Sequence, residues 1–199
     1  MNQTELIATL DELQDMCNNV LILYNAHDKG NQELTDLANM TYYILWNYTK
    51  FLIALKQFQN ATLRCEQDFA IGELYITINE CIKHVIGFKT DDGKHRNKSL
   101  WIKEMGNYIL KHPVFKEKYI TTKNMLIEFA DSFKKNSDLK VIRDIAAHGD
   151  VKIEKLLKLH ATPISIILQY MDDWGQCLMP VADFVFTCFE SECQQEMNK

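Results

Sequence analysis

The chain has 199 residues, 47% apolar and 25% charged, with a net charge of −5. That balance excludes a disordered chain and a crosslink-dependent miniprotein, and it suits one domain with a core of its own. Only 7 glycines and 3 prolines occur, too little turn chemistry for a protein built on sheets.

Leu6, Leu10, Leu13, Cys17, Val20 and Tyr24 recur every three or four positions, which predicts a first helix from an N-cap at Thr4 to about His27. Asp28 to Gln32 reads as a turn. A second long helix is expected over roughly 33–59, rich in aromatic residues (Tyr42, Tyr43, Trp46, Tyr48, Phe51, Phe58). A third is expected over about 66–87, with Phe69, Leu74, Ile78, Cys81, Ile82 and Val85 facing the core. Lys89 to Lys98 is polar and charged and reads as a loop. Ser99 then caps a shorter helix to about Lys111, which His112-Pro113 ends because proline disfavours a helical residue before it.

Thr122 to Lys135 is predicted helical, and Ser137 is placed as the cap of a helix closed by Gly149. After an irregular or short helical stretch, Thr162-Pro163 opens a last helix to about Gln195, with a kink expected at Gly175 and Pro180. No segment alternates with period two for long, and there is no repeat or linker. The expected fold class is therefore all-α, an up-and-down bundle of long antiparallel helices with shorter helices inserted. It forms a single domain over 1–199, in which a core of roughly 33–196 carries the helix 4–27 packed on it.

The N-terminus lacks the basic, apolar, small-residue order of an export signal. The longest apolar run, Tyr42 to Leu55, is interrupted by Asn47, Thr49 and Lys50, so no membrane span is expected. Six cysteines form no Cys-x-x-Cys pair and read as reduced core thiols, which places the chain in the cytoplasm. Charge is unevenly spread. Lys83 to Lys158 carries a balance of +7 and the remainder −12. Such segregation marks either a face for a polyanion or a basic hairpin paired to acidic neighbours.

The densest chemistry lies in Arg143-Asp144-Ile145-Ala146-Ala147-His148-Gly149. Arginine grips phosphate through a planar fork, and histidine moves protons near neutral pH. On a helix, Ile142, Ile145, Ala146 and Gly149 share an inward face. Asp144 and His148 stand four apart and are neighbours, so the carboxylate can orient the imidazole and favour its charged form. The helix C-terminus adds to that preference. Arg143 is about 140° around the helix from His148 by the 3.6-residue repeat. Either the helix end unwinds at Gly149, or a second copy completes the site across a two-fold axis; the second arrangement is the favoured one. Lys134, Lys135 and Lys140 are the nearest expected contacts for a nucleic-acid backbone.

The segment resembles the HEPN ribonuclease motif, an Arg, four to six residues and a His, commonly with a polar residue after the Arg. Arg143, Asp144 and His148 occupy those three positions. The resemblance implies a HEPN-like helical fold and metal-independent RNA cleavage by a homodimer, in a toxin–antitoxin or defence setting with an antitoxin or other partner protein. Arg143, His148 and Asp144 would be the catalytic residues, with no cofactor and no metal. The alternative is a non-catalytic helical module of the same shape that binds a partner protein or a nucleotide. Glu80, Cys81 and His84, joined by His27 or His160, are the one arrangement that could hold a metal, although Cys81 reads as core. The Tyr42–Phe58 aromatics could stack bases, but at helical spacing they read as core or a dimer interface. His95 and Arg96 in the charged loop could touch a phosphate backbone, but read better as solvated.

Overall fold

The computed structural model describes residues 2–27, 30–87, 99–136, 139, 141–142, 145 and 153–197, with backbone alone at 155, 156 and 160. Helix α1 spans Gln3–Ala26. The capping role expected of Thr4 falls to Asn2, because Glu5 stands where it can close a reciprocal pair. The Glu5 amide donates to Asn2 Oδ1 and the Asn2 amide to Glu5 Oε2, both at 2.9 Å, which satisfies two otherwise orphaned donors. Helix α2 spans Gln32–Asn60 and is capped by the Asn31 side chain.

Helix α3 runs Arg64–Val85, starting earlier than its periodicity suggests. Glu66 reaches back to accept from the amides of Thr62 and Leu63 at 2.9 and 3.0 Å. Those bonds hold its carboxyl below the ordinary glutamate range. The helix stops short of Gly87, whose φ of 71° turns the chain while its amide donates to the Ile82 carbonyl at 2.8 Å. Glycine tolerates that left-handed geometry best.

The next stretch opens as a π-helical turn, Trp101–Met105, before α4 over Gly106–Lys111. The widened turn is supported from outside by Tyr119, whose hydroxyl donates to the Trp101 carbonyl at 3.3 Å. A Cβ on Gly106 would stand 3.2 Å from that hydroxyl, so glycine leaves room for it. Pro113–Phe115 forms a 3₁₀ turn that leads straight into α5, Lys116–Lys135. That helix starts a turn and a half before the expected Thr122, because a proline at the head of the turn presets the helical φ.

Asn136 provides a cap contact of the kind expected from Ser137: its Oδ1 accepts from the Leu139 amide at 3.3 Å. Ser137 itself lies outside the described residues. Leu139, Val141, Ile142 and Ile145 are helical. Helix α6 covers Ile153–Ala161, and α7 runs Ile164–Met197 with Gly175 and Pro180 inside it.

The protein is an all-α assembly of long packed helices with shorter ones inserted. Helix α2 lies at its centre, against α1, α3 and α7, and α5 packs along α7. Trp101, Trp174, Phe51, Phe184 and Phe189 are fully buried, and Trp174 meets Phe129 at 4.8 Å between ring centres. Among the described residues no helix is long and apolar enough to cross a membrane.

Two core expectations are corrected. Phe69 is 65% exposed, because it lies off the stripe of Ala70, Leu74, Ile78, Cys81 and Val85 that α3 turns inward. Cys65 is exposed as well, while the other five thiols are buried and unpaired. Burial pushes Cys177 and Cys188 up to about 12 and Cys193 to about 11, with neighbouring carboxylates adding to the last.

Truncating Trp174 to Ala should cost about 3–5 kcal/mol, since a buried aromatic leaves a cavity its neighbours cannot fill. Leu110→Ala, at a side chain 82% exposed, should cost less than about 0.5 kcal/mol. Urea unfolding followed by far-UV circular dichroism measures both.

Candidate functional site

Arg143, Asp144, His148 and Lys140 lie outside the described residues, so the side chains that carry the expected chemistry are not placed. Their framework is. Ile142 is buried, as its predicted inward face requires, and Ile145 is half-buried. Together with Phe69, Gly72 and Ile76 of α3 and Leu159 of α6 they line a groove of about 290 Å³. Ala146 and Gly149, the rest of that expected face, are not among the described residues. Lys134 and Lys135 are exposed in the last turn of α5, where cations also suit the helix dipole.

A second constellation lies elsewhere, at His112, whose only sequence signal is a helix break before Pro113. His112 stacks on Tyr108 with ring centres 4.2 Å apart. Its Nε2 stands 3.5 Å from Oε2 of Glu192 and 3.8 Å from Oε1 of Glu33. Both oxygens are buried and have no hydrogen-bond partner among the described residues, so the imidazole, once protonated, is placed to serve both carboxylates. Lys111 pairs with the other oxygen of Glu33. The Tyr108 hydroxyl donates to the Cys188 carbonyl at 3.3 Å. Burial foremost, then the charges of Cys188, Glu192 and Glu33, hold its phenol well above the ordinary tyrosine range.

These contacts tie the first turn of α2 to the end of α4 and the last turns of α7. Beside them opens a cleft of about 350 Å³ whose rim includes Asp36, Lys103, Glu104 and Asn107. Its mixed charges suit a polar surface. The Lys111–Glu33 pair also shows that part of the basic segment is spent on the acidic remainder of the chain.

The other candidate groups separate. Cys81 is in the core, with burial as the main cause raising its thiol. Glu80 and His84 are about half-exposed on the surface of α3, 3.6 Å apart. His27 sets its two ring nitrogens against the carbonyls of Leu23 and Cys193, which ties α1 to α7. Among the described residues no group of three His, Cys, Asp or Glu side chains could hold a metal. The side chain of His160 and the loop residues His95 and Arg96 lie outside the described residues. Of the aromatic run, Tyr48 and Phe51 are core and Tyr42, Tyr43 and Phe58 pack against it. Trp46 is largely exposed, beside the Lys50 ammonium.

Comparison of the chain with protein-family models, with curated proteins and with solved structures returned no match.

Replacing His112 by Leu leaves two buried carboxylate oxygens facing apolar surface, and should destabilise the fold by about 1–3 kcal/mol. His112→Leu combined with Glu192→Leu should recover part of that loss, since removing both partners is milder than removing one. A double-mutant cycle in urea measures the coupling; strict additivity would show that the two side chains do not interact.

Proposed function

We propose that this protein is a metal-independent, HEPN-like endoribonuclease acting as a homodimer, of the toxin or defence type. The observation that carries the reading is the Arg143-Asp144-x-x-x-His148 sequence itself. Two features support it: an all-helical fold, and the packing of its flanking residues Ile142 and Ile145 into the hydrophobic core. The basic segment around the motif gives RNA a reason to approach an otherwise acidic protein.

The chemistry follows from these groups. The ribose 2′-hydroxyl is already held beside its own phosphate, so in-line attack needs no metal to deliver a nucleophile. His148 would take the 2′-hydroxyl proton or give one to the departing 5′-oxygen, with Asp144 orienting its ring. Arg143 would stabilise the charge that builds on the non-bridging oxygens. The new bond joins the 2′-oxygen to phosphorus as the P–O5′ bond breaks. The products are a 2′,3′-cyclic phosphate and a free 5′-hydroxyl. Lys134, Lys135 and Lys140 would hold the backbone on either side.

Incubating labelled RNA with the protein in EDTA tests this directly. Cleavage should persist without metal and yield cyclic phosphate ends. It should fall by about 10²–10⁴ in His148→Ala, the range for loss of a proton-transfer group. Arg143→Ala should lose about 10²–10³. Cleavage that survives both substitutions would assign the activity to other residues. Absence of cleavage on varied RNAs by a folded dimer would favour the non-catalytic module.

A further inference from the structure

Helices α2 and α7 leave a trough between them, about 370 Å³ in volume. Its lining recurs turn by turn, from Tyr48 to Gln59 on α2 and from Leu168 to Met179 on α7. At 1.5 Å per residue either run is about 16 Å long, so the trough suits a chain better than a ring. Tyr48, Phe51 and Met171 are buried and form its floor, while Asp172, Gln176 and Met179 are exposed along its rim. Gly175 sets the width. A Cβ there would meet the Phe51 ring at 3.6 Å, so a larger side chain would stand in the space the glycine leaves open.

The floor holds one polar side-chain group, and it is an orphan. Tyr48 is 2% exposed, and its hydroxyl has no hydrogen-bond partner among the described residues. A buried hydroxyl in that state costs stability until something bonds it. Thr41 bonds the Val185 carbonyl and Phe51 faces Gly175, so α2 and α7 run antiparallel and Tyr48 lies at the end of the trough nearest Asp183. Burial first, then the charges of Asp183 and Glu12, push its phenol up to about 12. The hydroxyl is therefore neutral and sits in a negative potential. The neighbouring helices share that sign: α1 carries four carboxylates and α7 six, and neither has a lysine or arginine. The lysines of α2 lie elsewhere, Lys50 over Trp46 and Lys56 beside a hollow on the α3 side.

We propose that this trough binds a linear alkylammonium ion, its hydrocarbon chain along Phe51, Leu55, Met171 and Gly175 and its ammonium group donating to the Tyr48 phenol oxygen. The head then lies toward the exposed Asp183 carboxylate and keeps part of its water, which avoids burying a bare charge. Met179, unbranched and 44% exposed, is the side chain that yields to admit it. The acidic surroundings select against a fatty acid of the same length, whose carboxylate would meet like charge. This binding uses no residue of the Arg143–His148 motif and is independent of RNA cleavage.

Equilibrium dialysis of the full chain against n-octylammonium chloride, 1-octanol and sodium octanoate tests it. The ammonium ion should bind once per chain, the alcohol about fivefold more weakly and the carboxylate more weakly still. Tyr48→Phe should weaken octylammonium binding about tenfold, the loss expected for a hydrogen bond to a charged group. The same substitution should raise the thermal midpoint of the free protein, because the orphaned hydroxyl is gone. Gly175→Leu should abolish binding of all three with an unchanged helical spectrum. Leu110→Asp, exposed on α4, should bind as the wild type does. No octylammonium bound at about 5 mM, octanol or octanoate bound as tightly, or binding that Tyr48→Phe leaves unchanged overturns the proposal.

Discussion

The burial of α2 between three other helices is the constraint on which the rest of the structure depends. Its inward positions include Leu34, Ile44, Leu45, Phe51 and Leu52, all essentially without solvent contact. A helix covered on so many sides must also satisfy its own polar side chains, because an unpaired buried group costs about 1–3 kcal/mol. Three of them do so through backbone carbonyls, whereas the buried Tyr48 hydroxyl has no hydrogen-bond partner among the described residues. Asn47 donates to the Tyr43 carbonyl at 2.7 Å and Thr49 to the Leu45 carbonyl at 2.9 Å, while Thr41 reaches the Val185 carbonyl of α7 at 3.3 Å. Asn47 and Thr49 are thus compatible with the centre of a bundle, while Lys50 lies on the exposed side of the helix.

That arrangement decides which surfaces are left over. With α2 claiming one side of α3 and α1 and α7 closing over α2, the opposite side of α3 faces outward with Phe69 on it. Ile142, Ile145 and Leu159 line a groove beside this outer side. The opposite end of the molecule is held by charge as well as packing. Glu33, His112 and Glu192 join the start of α2, the end of α4 and the end of α7, positions far apart in the chain. Those contacts clasp that end of the molecule.

How much of this was legible in the sequence varies with the range of the interaction. Helical periodicity identified the long helices, because one apolar stripe per helix is a local signal. Helix starts were less legible. Asn2 and Glu66 decide where α1 and α3 begin by side-chain reach, and Thr4 offered an equally plausible cap. The outward placement of Phe69 and Cys65 was hidden, since period alone marks a stripe but does not say where it ends. The π-helical turn at Trp101 depends on Tyr119, a contact with no local signature. His112, through its neighbour Pro113, signals only a helix stop; its carboxylate partners come from residues 33 and 192. The Arg143–His148 motif is the reverse case. It is legible only as sequence, and the structure contributes its supports.

The core is built on α2, and it leaves Phe69 of α3 and Ile153 and Leu157 of α6 at the surface. Amide hydrogen exchange, read peptide by peptide at low and high protein concentration, tests it most directly without altering the chain. The middle of α2 should be the slowest region at both concentrations, opening only with the whole fold. Peptides of α1, which packs on α2 from one side, should exchange faster. A middle of α2 that opens before α1 would contradict the central place of α2.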